Sequence, residues 1–106
     1  MPSAVVWINR RQAVVAAISH DGRLRTCEIT RGWLPEAGYL ATVIRVIGDP
    51  QRVMILGPGS VRLALERAYV ACQRHPDRLV DVEPAGATSA DDLVGRVRAL
   101  AARPQA

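Results

Sequence analysis

A Gly-Pro-Gly-Ser sequence at residues 57–60 directly follows an apolar run and precedes a segment with helical spacing. The N–H groups of a helix's first turn and the positive end of its dipole favour a phosphate, which glycine allows to approach closely. Gly57, Gly59 and Ser60 therefore form a candidate anion-binding turn, although the spacing is not that of a P-loop. The alternative is structural: the glycines permit a sharp strand-to-helix turn and Ser60 caps the helix.

A short polar stretch separates the first two apolar runs, and it places Arg10, Arg11 and Gln12 at the tip of a predicted hairpin. Arg31 and Trp33 lie in a later connection. Arginines at such positions can contact phosphates, and an exposed indole can stack on a base. We treat these five residues as candidates for RNA or phosphate binding. The alternative is that the arginines are only solvated and that Trp33 covers the open end of the core.

Carboxylates are the other groups in the chain that could support catalysis by holding metal ions. A ribonuclease-H-like nuclease needs converging carboxylates, and its first strand supplies an aspartate where this chain has Asn9. Nothing in the spacing of the acidic candidates forces them together; they are Glu28, Glu83, Asp91 and Asp92. Helix capping and solvation account for them, since residues 89–92 resemble a capping box. We predict no catalytic residues, no metal site and no cofactor, and keep a metal-dependent nuclease as an alternative.

The composition is that of one globular domain, with 106 residues of which 49% are hydrophobic and 23% charged. We predict a single domain over residues 1–106 with an ordered core from about 4 to 102. No apolar run reaches the length of about 18 residues that spans a bilayer. No signal-peptide pattern opens the chain, so we expect a cytoplasmic protein. Cys27 and Cys72 lie on predicted apolar faces, and we expect both to be reduced core residues.

The charge of the chain is compatible with a nucleic-acid partner without requiring one. The 14 basic residues are all arginine and stand against 10 acidic residues, which gives a net charge of +4. Arginine suits planar, bidentate contacts to phosphate. Because the arginines form no tight run, the charge alone does not identify a binding surface.

Apolar runs and helical stripes predict five strands and three helices in the order β-β-β-α-β-α-β-α. Residues 4–8 and 13–18 form a hairpin, and an Asp-Gly turn leads to a polar edge strand at 23–30. The continuous apolar run at 53–56 indicates a central strand covered on both faces, and a shorter strand follows at 79–83. We therefore predict an α/β fold with a mixed five-stranded sheet of order 3-2-1-4-5, in which strand 4 is parallel to strand 1 and helices cover the faces.

The opening apolar strand, the meander and the Leu56-Gly57-Pro58-Gly59 sequence before a helix resemble small bacterial proteins described as translational-machinery-protein-like. The same order is similar to the central domain of eukaryotic and archaeal peptide release factors and of the ribosome-rescue factor Pelota. The resemblance covers residues 4–102 and implies a role on the ribosome or in RNA binding. In release factors the loop after the third strand carries Gly-Gly-Gln, which promotes peptidyl-tRNA hydrolysis. Residues 31–38 lack that motif, which argues against peptide release.

We therefore predict a non-enzymatic domain that binds the ribosome, another structured RNA or a translation protein. A second hypothesis is a regulatory domain that binds a phosphate or nucleotide at residues 57–60. The edge strand at 23–30 could also pair with its own copy in a homodimer, although its arginines oppose such pairing.

Overall fold

The computed structural model describes residues 1–104, and the last two residues of the predicted domain, Gln105 and Ala106, lie outside the described residues. Within residues 1–104 the chain forms five strands, three α-helices and one short 3-10 turn in the predicted order. These elements are β1 Ser3–Ile8, β2 Gln12–Ile18, β3 Leu24–Thr30, α1 Glu36–Ile47, β4 Arg52–Gly57, α2 Val61–Cys72, the turn Pro76–Arg78, β5 Leu79–Pro84 and α3 Ala90–Ala102.

The strands form one mixed sheet of order β3-β2-β1-β4-β5, which confirms the predicted fold class and strand order. β1 pairs antiparallel with β2 and parallel with β4, so that Val6 lies between Val15 and Ile55. β2 and β3 continue the antiparallel meander, and β4 and β5 are parallel. The carboxyl ends of β1 and β4 therefore lie side by side at the same end of the sheet.

Strand β1 lies at the centre of the core and is buried along its whole length. Alternate residues of a strand point to opposite faces of the sheet. Val6 and Ile8 face a core shared with α1 and α2, whereas Val5 and Trp7 face a second core under α3. Burial on both faces explains why β1 is apolar without alternation. No helix among residues 1–104 is long and apolar enough to cross a membrane.

The two cysteines differ from the expectation that both lie in the core. Both thiols are free; Cys27 is half-buried and packs against the core, but Cys72 is exposed. Cys72 is the last residue of α2 and lies beyond Tyr69, the final buried residue of that helix. The prediction of a core position is therefore wrong for Cys72, because the helical stripe continues past the part of the helix that packs on the sheet.

Helix α3 begins with the predicted capping box. The Ser89 hydroxyl accepts a hydrogen bond from the Asp92 N–H at 3.1 Å, and the Asp92 carboxylate accepts one from the Ser89 N–H at 3.4 Å. Hydrogen bonds from Ser89 hold the pKa of the Asp92 carboxyl below its usual value. The predicted cap at Ser60 is wrong, because its side chain makes no capping hydrogen bond. Its backbone has φ −90° and ψ −12°, which is helical rather than the extended conformation of a capping residue.

We expect Ser89→Ala to lower the free energy of unfolding by about 1 kcal/mol, since it removes a capping hydrogen bond. Ser60→Ala is the matched control and should change stability by only a few tenths of a kcal/mol. Urea denaturation at neutral pH measures both. Folding lowers the pKa of the Asp92 carboxyl. The contribution of this carboxylate to stability is therefore present above the ordinary carboxyl pKa and is lost as the pH falls through the lowered value. Equal effects of the two substitutions would contradict the assignment of the caps.

Candidate functional site

The hairpin tip between β1 and β2 is held in place by the side chain of Asn9. Its Oδ1 accepts hydrogen bonds from the backbone N–H groups of Arg11 and Gln12, both at 2.8 Å. The Tyr39 hydroxyl of α1 donates to the Asn9 carbonyl at 3.0 Å. Burial raises the pKa of Tyr39 to about 12, so this donor stays protonated at neutral pH. The tip is therefore a fixed platform for the two arginines.

Arg31, in the connection between β3 and α1, also makes hydrogen bonds to the hairpin tip. Its backbone N–H donates to the Arg11 carbonyl at 2.9 Å, and its Nη1 lies 3.4 Å from the Arg10 carbonyl. The Nε donates to the Leu34 carbonyl at 2.9 Å, and the guanidinium stands 5.8 Å from the centroid of the Tyr39 ring. Arg31 thus ties the β3–α1 connection to the hairpin, and most of its hydrogen-bonding capacity is used within the protein.

The turn between β4 and α2 needs glycine at its first position because the backbones of β1 and β4 approach closely there. A Cβ on Gly57 would lie 2.1 Å from the Ile8 carbonyl oxygen. Gly59 has φ +68°, a left-handed conformation that other residues rarely adopt. The Arg62 guanidinium donates to the Gly57 carbonyl at 3.4 Å and also to the Gly59 carbonyl. The conformation of the turn therefore depends on its two glycines and on hydrogen bonds from the Arg62 side chain of the following helix.

The hairpin tip and the turn line one open cleft of about 350 Å³ at the carboxyl ends of β1 and β4. We call it the hairpin-turn cleft, and its lining residues are Asn9, Arg10, Arg11, Pro58, Gly59, Ser60 and Val61. The structure thus brings together two groups of residues that the sequence analysis considered separately. A crevice outside the carboxyl ends of parallel strands is the usual position of a ligand site in α/β sheets.

The cleft is electrostatically suited to an anion. Arg10 and Arg11 are exposed, and no side chain among residues 1–104 forms a hydrogen bond or ion pair with either guanidinium group. Ser60 and Val61, at the start of α2 and the positive end of its helix dipole, line the same cleft. Because no carboxylate lines the cleft, its two sides both favour negative charge.

Four of the predicted binding residues do not line this cleft, namely Gln12, Arg31, Trp33 and Gly57. Gln12 lines a separate groove of about 440 Å³ on the α3 side of the sheet, together with Trp7 and Thr26. The side chain of Trp33 is 102% exposed, so it covers no part of the core. Its connection follows the carboxyl end of β3, which lies at the same end of the sheet as the carboxyl end of β1, and Arg31 fastens it to the hairpin tip.

Two residues that shape the cleft are not among the residues predicted from the sequence. Arg62 clasps the turn from the first turn of α2, and Tyr39 fixes the hairpin tip. A signal for Arg62 existed, since a side chain three residues after Gly59 on a helix can reach back over the turn. The signal for Tyr39 was its position beside Leu40 in the apolar stripe of α1, but its polar partner could not be derived from spacing.

The acidic residues considered for a nuclease do not converge. Glu83 lies 3.6 Å from Arg96, and Asp92 belongs to the capping box of α3. Among residues 1–104 no group of three or more histidine, cysteine, aspartate or glutamate side chains could hold a metal ion. No observation on the described part of the chain therefore favours the nuclease alternative.

The fold is that of a Pelota-like and release-factor-like domain. Pelota from Thermoplasma acidophilum has a TM-score of 0.64 and 21% identity, over 86% of this chain and 30% of that one. Pelota from Archaeoglobus fulgidus has a TM-score of 0.54 and 17% identity, over 94% of this chain and 35% of that one. An archaeal translation termination factor, aRF1, has a TM-score of 0.54 and 13% identity, over 87% of this chain and 32% of that one.

These similarities confirm the resemblance in fold that the sequence indicates. The chain spans about a third of the length of the solved structures it matches. No family model matches the chain, and no curated protein matches it in sequence.

Proposed function

We propose that this protein is a non-enzymatic RNA-binding domain of the translation machinery, which holds RNA phosphates in the hairpin-turn cleft. The observation that carries the proposal is the convergence of two unpaired arginines and the start of α2 on one cleft without a carboxylate. The fold supports the translation role, because the solved structures it resembles are Pelota proteins and a translation termination factor. Such a role implies a cytoplasmic protein whose partner is the ribosome or another structured RNA.

The arginines at the cleft can bind a phosphodiester. An arginine guanidinium can donate two parallel hydrogen bonds to a phosphate, and the opposing helix start adds backbone donors. Arg31 supports the tip that presents Arg10 and Arg11 and adds positive charge beneath it. Since Arg62 already holds the turn, the cleft has its shape before any ligand arrives. A preformed site loses less conformational entropy on binding.

Trp33 extends the proposed interface from phosphates to bases. Its fully exposed indole stands on a connection that Arg31 fastens to the hairpin tip. Stacking of an unpaired base on such a side chain contributes about 1–3 kcal/mol and depends little on sequence. We therefore propose that the bound RNA contains unpaired nucleotides beside the phosphate in the cleft.

A salt series tests the proposal. Fluorescence anisotropy with a labelled RNA hairpin that carries a single-stranded loop, and co-sedimentation with ribosomes, should both show binding at low salt. The logarithm of the association constant should fall linearly with the logarithm of salt concentration, by about 0.7 to 0.9 per phosphate bound. Absence of binding to both RNA and ribosomes at about 50 mM salt would refute the proposal. A thermal shift with phosphate or a nucleotide but not with RNA would support the regulatory alternative instead.

We expect Trp33→Ala to weaken binding to the looped RNA about 5- to 150-fold, which corresponds to the loss of one stacked base. The salt slope should not change, because the variant keeps every group that binds phosphate. Val70→Ala removes a 42% exposed apolar side chain from the end of α2 that lies away from the cleft, and it is the matched control, with no expected effect on binding. Trp33→Phe should retain most of the affinity. Wild-type affinity in the Trp33→Ala variant would show that the indole does not stack on RNA.

A further inference from the structure

The face of the sheet under α3 is only partly covered. Among the described residues, the core under α3 takes side chains from β1, β2 and β4 but none from β3. The even-numbered residues of β3 share this face, because Thr26 stands opposite Ala16 and Glu28 stands opposite Val14. A groove of about 440 Å³ lies there, between β3 and the start of α3. We call it the β3–α3 groove.

The buried side of this groove is apolar. Trp7 and Leu93 line it from the core and are only 6% and 1% exposed. The Trp7 indole N–H is already used in a hydrogen bond to the Gly86 carbonyl at 2.8 Å, so it offers no free donor to a ligand. The volume lies within the range of about 300–1,000 Å³ that is typical of small-ligand sites, which combine an apolar lining with a few polar groups.

The strand side of the groove supplies free polar side chains. Gln12, Thr26 and Glu28 line it. Within residues 1–104 no hydrogen bond or ion pair engages the Gln12 amide or the Glu28 carboxylate. Gln12 stands opposite Thr30, so Glu28 is its diagonal neighbour on the same face. Such neighbours lie about 7–8 Å apart, within reach of long side chains. The amide and the carboxylate can therefore contact one ligand together.

We propose that the β3–α3 groove recognises a guanine base of the RNA whose phosphates bind in the hairpin-turn cleft, an inference that rests on the proposed function. A carboxylate can accept two parallel hydrogen bonds from adjacent N–H donors. Among the four RNA bases only guanine has two such donors on its Watson–Crick edge, N1–H and the N2 amino group. The neighbouring guanine O6 accepts a hydrogen bond, which the Gln12 amide can donate. Glu28 and Gln12 thus read the edge of the base, and the apolar side of the groove contacts its rings.

The β3–α3 groove and the hairpin-turn cleft adjoin the same hairpin tip. Arg11 lines the cleft, and Gln12, the next residue, lines the groove. The Asn9 Oδ1 accepts hydrogen bonds from the backbone N–H groups of both residues, each at 2.8 Å, so their relative position is fixed. A single strand that crosses the tip can therefore place a phosphate at Arg11 and a neighbouring base at Gln12.

An arginine side chain of a partner protein also has adjacent N–H donors, but the surroundings of the groove disfavour it. Glu28 is the only carboxylate among the described residues that line the groove, whereas Arg10 and Arg11 stand free on the adjoining tip. The chain carries a net charge of +4, which attracts RNA and repels a basic peptide. A guanidinium also has no acceptor to which the Gln12 amide could donate.

Oligonucleotides that differ in one base test this recognition with the wild-type protein. Fluorescence anisotropy compares labelled oligouridines that carry one central guanosine, inosine or adenosine. The guanosine oligonucleotide should bind about 5- to 150-fold more tightly than the adenosine one. Inosine keeps N1–H and O6 but lacks the N2 amino group, so its affinity should lie between them. Equal affinities that Arg10→Ala with Arg11→Ala still weakens would overturn this inference and leave the proposed function standing. Absence of binding to every oligonucleotide would also overturn it, whereas the looped RNA and ribosomes decide the proposed function.

Glu28→Gln should remove the preference for guanine, because an amide has one acceptor oxygen and its own N–H groups oppose the guanine donors. Affinity for the guanosine oligonucleotide should fall to that for the adenosine one, which should change little. Glu28 is exposed, so the fold should be unaffected. Glu66→Gln is the matched control: it removes the same charge from α2, outside the groove and the cleft, and should keep the preference. A preference that survives Glu28→Gln, or a Glu28-dependent preference for an arginine-rich peptide over the guanosine oligonucleotide, would overturn the inference.

Discussion

Gly57→Ala is expected to destabilise the protein more than any other single substitution considered, by at least about 3 kcal/mol. The added methyl carbon would lie 2.1 Å from the Ile8 carbonyl oxygen, a distance that real Cβ atoms do not adopt. The obstacle is backbone in the central strand β1, so it cannot move aside as the end of a flexible side chain would. A domain of this size is stable by only about 5–15 kcal/mol, so the loss is a large fraction of the total.

Gly95→Ala is the matched control for this substitution. Gly95 lies within α3, and a Cβ there would have no atom within 4 Å. Alanine should stabilise that helix by about 0.5–1 kcal/mol. Urea denaturation followed by circular dichroism compares the two variants with the wild-type protein. If Gly57→Ala unfolds at the wild-type urea concentration, the close approach of β4 to β1 at this turn is not as described.

The double substitution Arg10→Ala with Arg11→Ala should weaken RNA binding about 100-fold at low salt. A charge-assisted hydrogen bond contributes about 1.5 kcal/mol or more, which is about a tenfold change in affinity for each arginine. The salt slope should also fall, by about 0.7 to 0.9 for each phosphate that the variant no longer binds. The fold should be unaffected, because Asn9 and Tyr39 hold the hairpin tip through backbone groups.

Arg45→Ala with Arg98→Ala is the control that separates the cleft from the overall charge. Both residues are exposed on helices, and the double change lowers the net charge by the same two units. Arg45 lies in the last turn of α1, whereas the hairpin tip contacts the first turn of that helix through Tyr39. If both double variants lose affinity equally, binding follows net charge and the cleft has no special role.

The fold was predictable from the sequence because local patterns agreed with one another. A continuous apolar run at β4, a Gly-Pro-Gly turn and a helical stripe in α2 identify a buried strand with its covering helix. The polar alternation of β3 identifies an edge. These signals depend on short-range periodicity, which a sequence displays directly.

The cleft was only partly predictable. In the sequence, Arg10 and Arg11 form part of one candidate site and residues 57–60 form another. The predicted parallel arrangement of strands 1 and 4 already implies that their carboxyl ends are neighbours, so the two sites could have been joined. The supporting role of Arg31 could not be predicted, because it depends on which carbonyl groups the guanidinium reaches in three dimensions. The missing cap at Ser60 likewise depends on backbone angles that a serine at this position does not reveal.

Backbone amide chemical shifts measured while RNA is added test the central claim most directly. If the hairpin tip and the start of α2 form one phosphate site, the amide signals of Arg10, Arg11 and residues 59–62 should move together and saturate with one dissociation constant. Signals from the far end of α1 around Arg45 should stay in place. Shifts confined to other surfaces, or two groups of residues that respond with different constants, would contradict a single RNA-binding cleft.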